Sequence, residues 1–144
     1  MIRVWCDGSS NGKTGGAVGW GWVIEKDGEP LHAGYGGAES GTNNTAEIQA
    51  AIEGLRALSK VILFHPLEEV ALVSDSRYCL GMASGRLSAV KNLELVAELQ
   101  GLYKSLCNET QWVKGHAGNK MNERCDSLAH KGKMLYKKEA PNGG

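Results

Sequence analysis

No apolar run in this 144-residue chain approaches the ~20 residues that a helix needs to cross a bilayer. A membrane partner is therefore not expected. The opening Met1-Ile2-Arg3-Val4-Trp5 lacks a signal-peptide pattern and begins at once with strand-like alternation. A cytoplasmic location is the expectation. Net charge is absent as well: 16 Lys+Arg balance 16 Asp+Glu, which argues against holding nucleic acid by charge alone. If acids share a metal site the balance shifts, because setting four of them aside leaves an excess of four positive charges. No internal repeat and no linker is visible. The four cysteines, Cys6, Cys79, Cys107 and Cys125, form no CxxC pair, so neither a zinc nor a dithiol redox site is indicated. Buried thiols are expected in preference to a disulfide.

What is present is ordinary globular composition, 42% hydrophobic and 22% charged, in a length that suits one domain. Ile2, Val4 and Cys6 alternate with Arg3, Trp5 and Asp7 at the strand period. A second strand is expected over Ala17 to Ile24, a hairpin turn at Asp27-Gly28 and a returning strand near Pro30 to Gly36. The period then changes. Ile48, Ala51, Leu55, Leu58 and Ile62 mark one face of a helix starting after Asn43-Asn44. Val70 to Val73 is a continuous apolar run, as a strand buried on both faces should be. A short helix after Asp75, a longer one through Leu95, Leu99, Leu102 and Leu106, a strand over Thr110 to Val113 and a last helix through Met121, Cys125, Leu128 and Leu135 complete the series. The order β-β-β-α-β-α-α-β-α predicts an α/β fold with one mixed sheet and helices packed on it. A domain over residues 1–136 and a frayed polar tail over 137–144 are expected.

Four carboxylates stand out by position. Asp7 closes the first strand, Glu47 is placed in the first turn of the first helix, Asp75 ends the buried strand and Asp126 lies in the last helix. Singly, each has an ordinary explanation: a turn, a capping box, a helix cap, a solvated face. Together they are harder to dismiss, because ligands of open α/β sheets collect beyond the carboxyl ends of strands. Like charges gathered there raise carboxyl pKa values and destabilise the fold unless cations occupy the site. Hard oxygen ligands select Mg²⁺ or Mn²⁺ over zinc. Two such ions ~4 Å apart suit phosphodiester hydrolysis.

The sequence resembles the type 1 ribonuclease H family over about residues 1–136. The segments that carry the resemblance are Asp7-Gly8-Ser9, Thr42-Asn43-Asn44-Thr45-Ala46-Glu47, Ser74-Asp75-Ser76-Arg77-Tyr78, and Trp112-Val113-Lys114-Gly115-His116-Ala117-Gly118 leading into Asn122-Glu123-Arg124-Cys125-Asp126. The resemblance implies a five-stranded mixed sheet, three strands antiparallel and then two parallel, flanked by helices. It implies a monomeric endonuclease that hydrolyses the RNA strand of an RNA–DNA hybrid with two Mg²⁺ ions, Mn²⁺ substituting, and leaves 5′-phosphate and 3′-hydroxyl ends. Asp7, Glu47, Asp75 and Asp126 match the family's metal-binding carboxylates. His116 matches a loop histidine that helps move a proton or release product, with Gly115 and Gly118 allowing its loop to move.

Asn43 and Asn44 match positions that contact the hybrid's minor groove, where an amide can pair with a 2′-OH. The alternative is that they cap the helix. Thr42 and Asn11 are candidates for a DNA-strand phosphate pocket, and Trp112 and Tyr78 are read as core or groove wall. One departure matters. The region from Cys79 to Asn92 is short, has no tryptophan and offers only Arg86 and Lys91 as cations, where many relatives carry a basic protrusion. Weaker duplex binding is expected, with Lys13, Lys114, Lys120, Lys131 and Lys133 as candidate substitutes. No hybrid-binding domain is expected ahead of residue 1. Two alternatives stay open: another nuclease on the same fold, such as a resolvase-like enzyme, and an inactive hybrid-binding module.

Overall fold

Strand β1 (Ile2–Ser10) is the axis on which the rest is arranged. It pairs antiparallel with β2 (Val18–Lys26), which pairs antiparallel with β3 (Glu29–Ala38). Its other edge pairs parallel with β4 (Val70–Ser74), which pairs parallel with β5 (Glu109–Trp112). The sheet order is β3-β2-β1-β4-β5, the mixed arrangement expected from the sequence. The computed structural model describes residues 1–11, 15–62 and 68–136. The expected tail over 137–144 and Lys13 lie outside the described residues.

Burial on both faces of β1 explains why its alternation is not hydrophobic against polar. Ile2, Val4 and Cys6 join Ile48, Ile52, Leu55 and Leu72 in the larger core, beneath α1 (Asn43–Val61), α2 (Arg77–Ser84) and α3 (Leu93–Leu106). Trp5 turns to the opposite face and packs with Val23, Ala71, Val73 and Cys125 under α4 (Lys120–Tyr136). Burying Trp5 requires a partner for its indole N–H, and buried Glu25 accepts it at 2.6 Å. Arg3 lies 3.9 Å from the same carboxylate.

Helix α1 starts at Asn43, not after Asn44. Thr42 is its N-cap, and a reciprocal capping box joins Thr42 to Thr45. Its apolar face, Ile48, Ala51, Ile52, Leu55 and Leu58, is fully buried. Ser76, not Asp75, caps α2, its hydroxyl accepting from the Cys79 amide at 3.0 Å. On α4 the expected apolar stripe stops early: Cys125 is buried, whereas Leu135 is 65% exposed. The helix is seated by small residues instead. An added Cβ at Gly132 would fall 1.9 Å from the Gly36 carbonyl oxygen, and one at Gly19 would fall 2.0 Å from that of Ala129. Helix and sheet backbones therefore touch directly at this seat, a separation that only glycine permits.

All four cysteines are free, and Cys107 alone is less than fully buried. Burial pushes the Cys125 and Cys107 thiols well up, Cys107 to about 12. No helix among the described residues is long and apolar enough to cross a membrane.

Candidate active site

The parallel ladder between β1 and β4 ends at Trp5↔Val73. Two residues further along each chain stand Asp7 and Asp75, side by side at the same level of the sheet. Asp7 does not close its strand, because β1 continues to Ser10 through its pairing with β2. What sets it apart is that β4 has already left, which opens room beside it.

Glu47 enters this space from α1. With Thr42 as N-cap it belongs to the second turn, and no acid lies in the first. Its approach depends on Gly8, where a Cβ would sit 2.5 Å from the Glu47 amide nitrogen. The Asp-Gly pair thus lets α1 descend onto β1 and bring its carboxylate beside Asp7. The result is a group in which Asp7, Glu47 and Asp75 each offer one oxygen, all within 4.8 Å of one another.

Electrostatics make this pocket costly as it stands. Asp7 and Glu47 are each 5% exposed. Burial, and then the charges of Asp75 and Asp126, push the Asp7 carboxyl up to about 8. Burial, and then the charge of Asp7, pushes Glu47 up to about 10. Glu47 Oε2 is buried with no hydrogen-bond partner. Among the described residues, no cationic side chain lies within 4.0 Å of any of the three carboxylates. Hard oxygen donors, an orphaned carboxylate oxygen and no internal counter-charge fit a hard divalent cation.

Asp126 behaves differently. It is exposed on α4, near enough to raise the Asp7 carboxyl, but outside the group of three. It stands at the rim of the pocket. His116 is exposed on the turn between β5 and α4, in the left-handed conformation at φ 54°. That turn adjoins the acids: a Cβ on neighbouring Gly115 would lie 3.1 Å from Asp75 Oδ2.

Because Thr42 and Thr45 satisfy the start of α1, neither Asn43 nor Asn44 spends its side chain on a cap. Both amides are exposed. Thr42 and Asn44 line a recess of about 300 Å³ with Tyr78, Met82, Lys91 and Asn92. Asn11 is exposed on the loop after β1 and is not among the residues that line this recess.

Two residues not assigned to the site from sequence support Asp75. Asn122 donates from Nδ2 to Asp75 Oδ2 at 3.2 Å. Trp112, read as core or groove wall, is 46% exposed and donates from Nε1 to the Asp75 carbonyl oxygen at 3.0 Å. Both contacts join residues far apart in sequence, which is why neither spacing nor periodicity reveals them.

Known proteins share this arrangement. The family model for RNase H matches residues 1–134. A ribonuclease H of Hyphomonas neptunium is 35% identical over 145 residues, covering 92% of this chain and 91% of that protein. The N-terminal RNase H domain of a Mycobacterium tuberculosis protein superimposes with a TM-score of 0.77 at 26% identity, covering 94% of each chain. LC11-RNase H1, solved in complex with an RNA/DNA hybrid, has a TM-score of 0.77 at 23% identity. It covers 94% of this chain and 98% of its own, and shares the fold. Sheet order, acidic pocket and relatives together define a nuclease. The chain belongs to the RNase H family.

Proposed function

We propose that the protein is an endonuclease that hydrolyses the RNA strand of RNA–DNA hybrids with two divalent ions, Mg²⁺ or in its place Mn²⁺. The products on this reading are 5′-phosphate and 3′-hydroxyl ends. The observation that carries the proposal is the group of three carboxylate oxygens within 4.8 Å of one another, with no cation of the protein's own to balance them. Asp7, Glu47 and Asp75 would hold the ions, with Asp126 reaching in from the rim. Bound there, divalent ions would supply Lewis acidity and neutralise the negative charge that develops on the phosphoryl and leaving oxygens.

The remaining roles belong to the chain's own groups. The free amides of Asn43 and Asn44 pair with 2′-OH groups and base edges in the minor groove. Asp7 on β1 and Asp75 just past the end of β4 set where the scissile phosphate rests. His116, on its exposed turn, takes up or delivers a proton at the rim. Only eight residues, 85–92, join α2 to α3, so duplex affinity is weaker than in relatives with a basic protrusion.

The test is incubation of matched RNA–DNA hybrid, duplex DNA and duplex RNA with Mg²⁺, with Mn²⁺ and with chelator, followed by end analysis. Cleavage of the hybrid's RNA strand alone, abolished by chelator, is the expected result. Equal cleavage of duplex DNA would point to a resolvase-like enzyme, and binding without cleavage to an inactive module.

A further inference from the structure

A basic feature lies outside the acidic pocket, between α2 and the edge strand β5. Arg77 stacks on Trp112 with its guanidinium carbon 4.1 Å from the ring centroid. Together with Leu80, Arg86 and Thr110 these residues line a depression of about 410 Å³. Both arginines are exposed. Among the described residues neither guanidinium has a carboxylate within 4.0 Å or a hydrogen-bond acceptor. Arg56 shows the contrast: its guanidinium is engaged by both Glu53 and Glu98. Trp112 keeps 46% of its surface exposed although one face carries Arg77 and its Nε1 is bonded to the Asp75 carbonyl.

We propose that this depression is a nucleic-acid subsite that holds a phosphodiester of the strand flanking the cut. The ligand chemistry follows from the lining. Two unpaired guanidinium groups offer forked N–H donors suited to phosphate oxygens. The open part of the indole offers an apolar surface to the adjoining sugar and base. Thr110 adds a hydroxyl, and no acid lines the depression to repel an anion. The position follows from the bond between Trp112 and Asp75: the wall of the subsite is tied to the residue that carries a cluster carboxylate. A strand lying over the acids continues onto Arg77, two residues beyond Asp75. The subsite draws its cationic grip from Arg77 at the start of α2 and Arg86 in the short connection to α3. As a reading of the substrate path it rests on the proposed nuclease function.

The experiment follows the side-chain Nε–H signals of Arg77 and Arg86 by NMR while a single-stranded DNA tetranucleotide is titrated into the whole protein. Saturable shifts at both arginines, absent with an equal concentration of inorganic phosphate, are expected. Unmoved signals, or equal shifts with inorganic phosphate, would overturn the assignment. This arm does not depend on hybrid cleavage, so the subsite and the nuclease reading fail separately. In steady-state assays on the hybrid, Arg77→Gln/Arg86→Gln should raise KM about tenfold with kcat within about twofold. The salt dependence should weaken by about two phosphate contacts. Lys26→Gln/Lys60→Gln, which removes the same charge from β2 and α1, outside the residues that line the depression, should leave KM within about twofold. Equal losses in the two double variants would reduce the arginines to long-range charge and sink the proposal.

Discussion

Asn122 on α4 holds Asp75 by one hydrogen bond, Nδ2 to Oδ2 at 3.2 Å, while its own Oδ1 is buried without a partner. The amide thus crosses from the helix to the end of β4 and fixes the direction of one cluster carboxylate. Outer contacts of this kind orient ligands more than they bind them. Asn122→Ala should therefore lower Mg²⁺-dependent cleavage about 10–100-fold with the circular dichroism spectrum unchanged. Full activity in the variant would show that Asp75 needs no such restraint.

Removing a cluster charge should separate activity from stability. Asp7→Asn is expected to reduce cleavage by ~10²–10³-fold or more and, in metal-free low-salt buffer, to raise Tm. The sign comes from linkage. Burial and neighbouring charges raise Asp7 to about 8 in the folded protein, whereas its ordinary value is 3.8. The folded state then holds a proton that the unfolded chain releases. Stability is full below the ordinary value and is lost as pH rises towards the folded one. The Tm advantage of Asp7→Asn over the unsubstituted protein should grow from pH 4 to pH 8 without metal, and shrink when Mg²⁺ is added. A Tm difference independent of both pH and metal would contradict the electrostatic account.

Gly8 tests how close α1 must come. Gly8→Ala places a Cβ where the Glu47 amide nitrogen lies at 2.5 Å, so helix and strand must part. A loss of about 1–3 kcal/mol is expected, together with weaker Mg²⁺ protection against thermal unfolding. Urea denaturation with and without the ion reads both, and an unchanged midpoint would mean that the strand yields without cost.

His116 occupies φ 54°, a conformation that costs a non-glycine residue ~1 kcal/mol. His116→Ala should slow turnover while leaving measurable cleavage, because on the proposed two-ion reading the ions held by the acids would carry the main electrostatic load. His116→Gly should be equally slow but more stable than the alanine variant by about 1 kcal/mol. Comparison of kcat and denaturation midpoints decides both points. Complete inactivity with intact Mg²⁺ binding would overturn the ranking.

Much of this molecule was legible in its sequence, for physical reasons that differ by element. Ile48 to Leu58 repeat at the helical period because α1 has one buried side. Val70 to Val73 are uniformly apolar because β4 has two. Caps were read less well. Ser, Thr, Asn and Asp all suit an N-cap, and composition alone does not choose Thr42 over Asn44 or Ser76 over Asp75. The four acids are legible through the resemblance, although Asp7 proves to lie within β1 and not at its end, and their inequality is not legible. That Asp126 is exposed while Asp7 and Glu47 are buried depends on where α4 rests across the sheet. The partners of Asp75 stayed hidden because Trp112 and Asn122 meet it only after folding.

The glycine seat of α4 has a consequence for how this enzyme tolerates change. Gly19, Gly132 and the carbonyl of Gly36 set the height at which the helix rides, and Asp126 travels with the helix as a rigid passenger. A methyl group added at Gly19 or Gly132 would tilt the far lip of the acidic pocket without touching an acid. Damaging substitutions should thus occur at a distance from the chemistry, on a surface whose only task is to be thin.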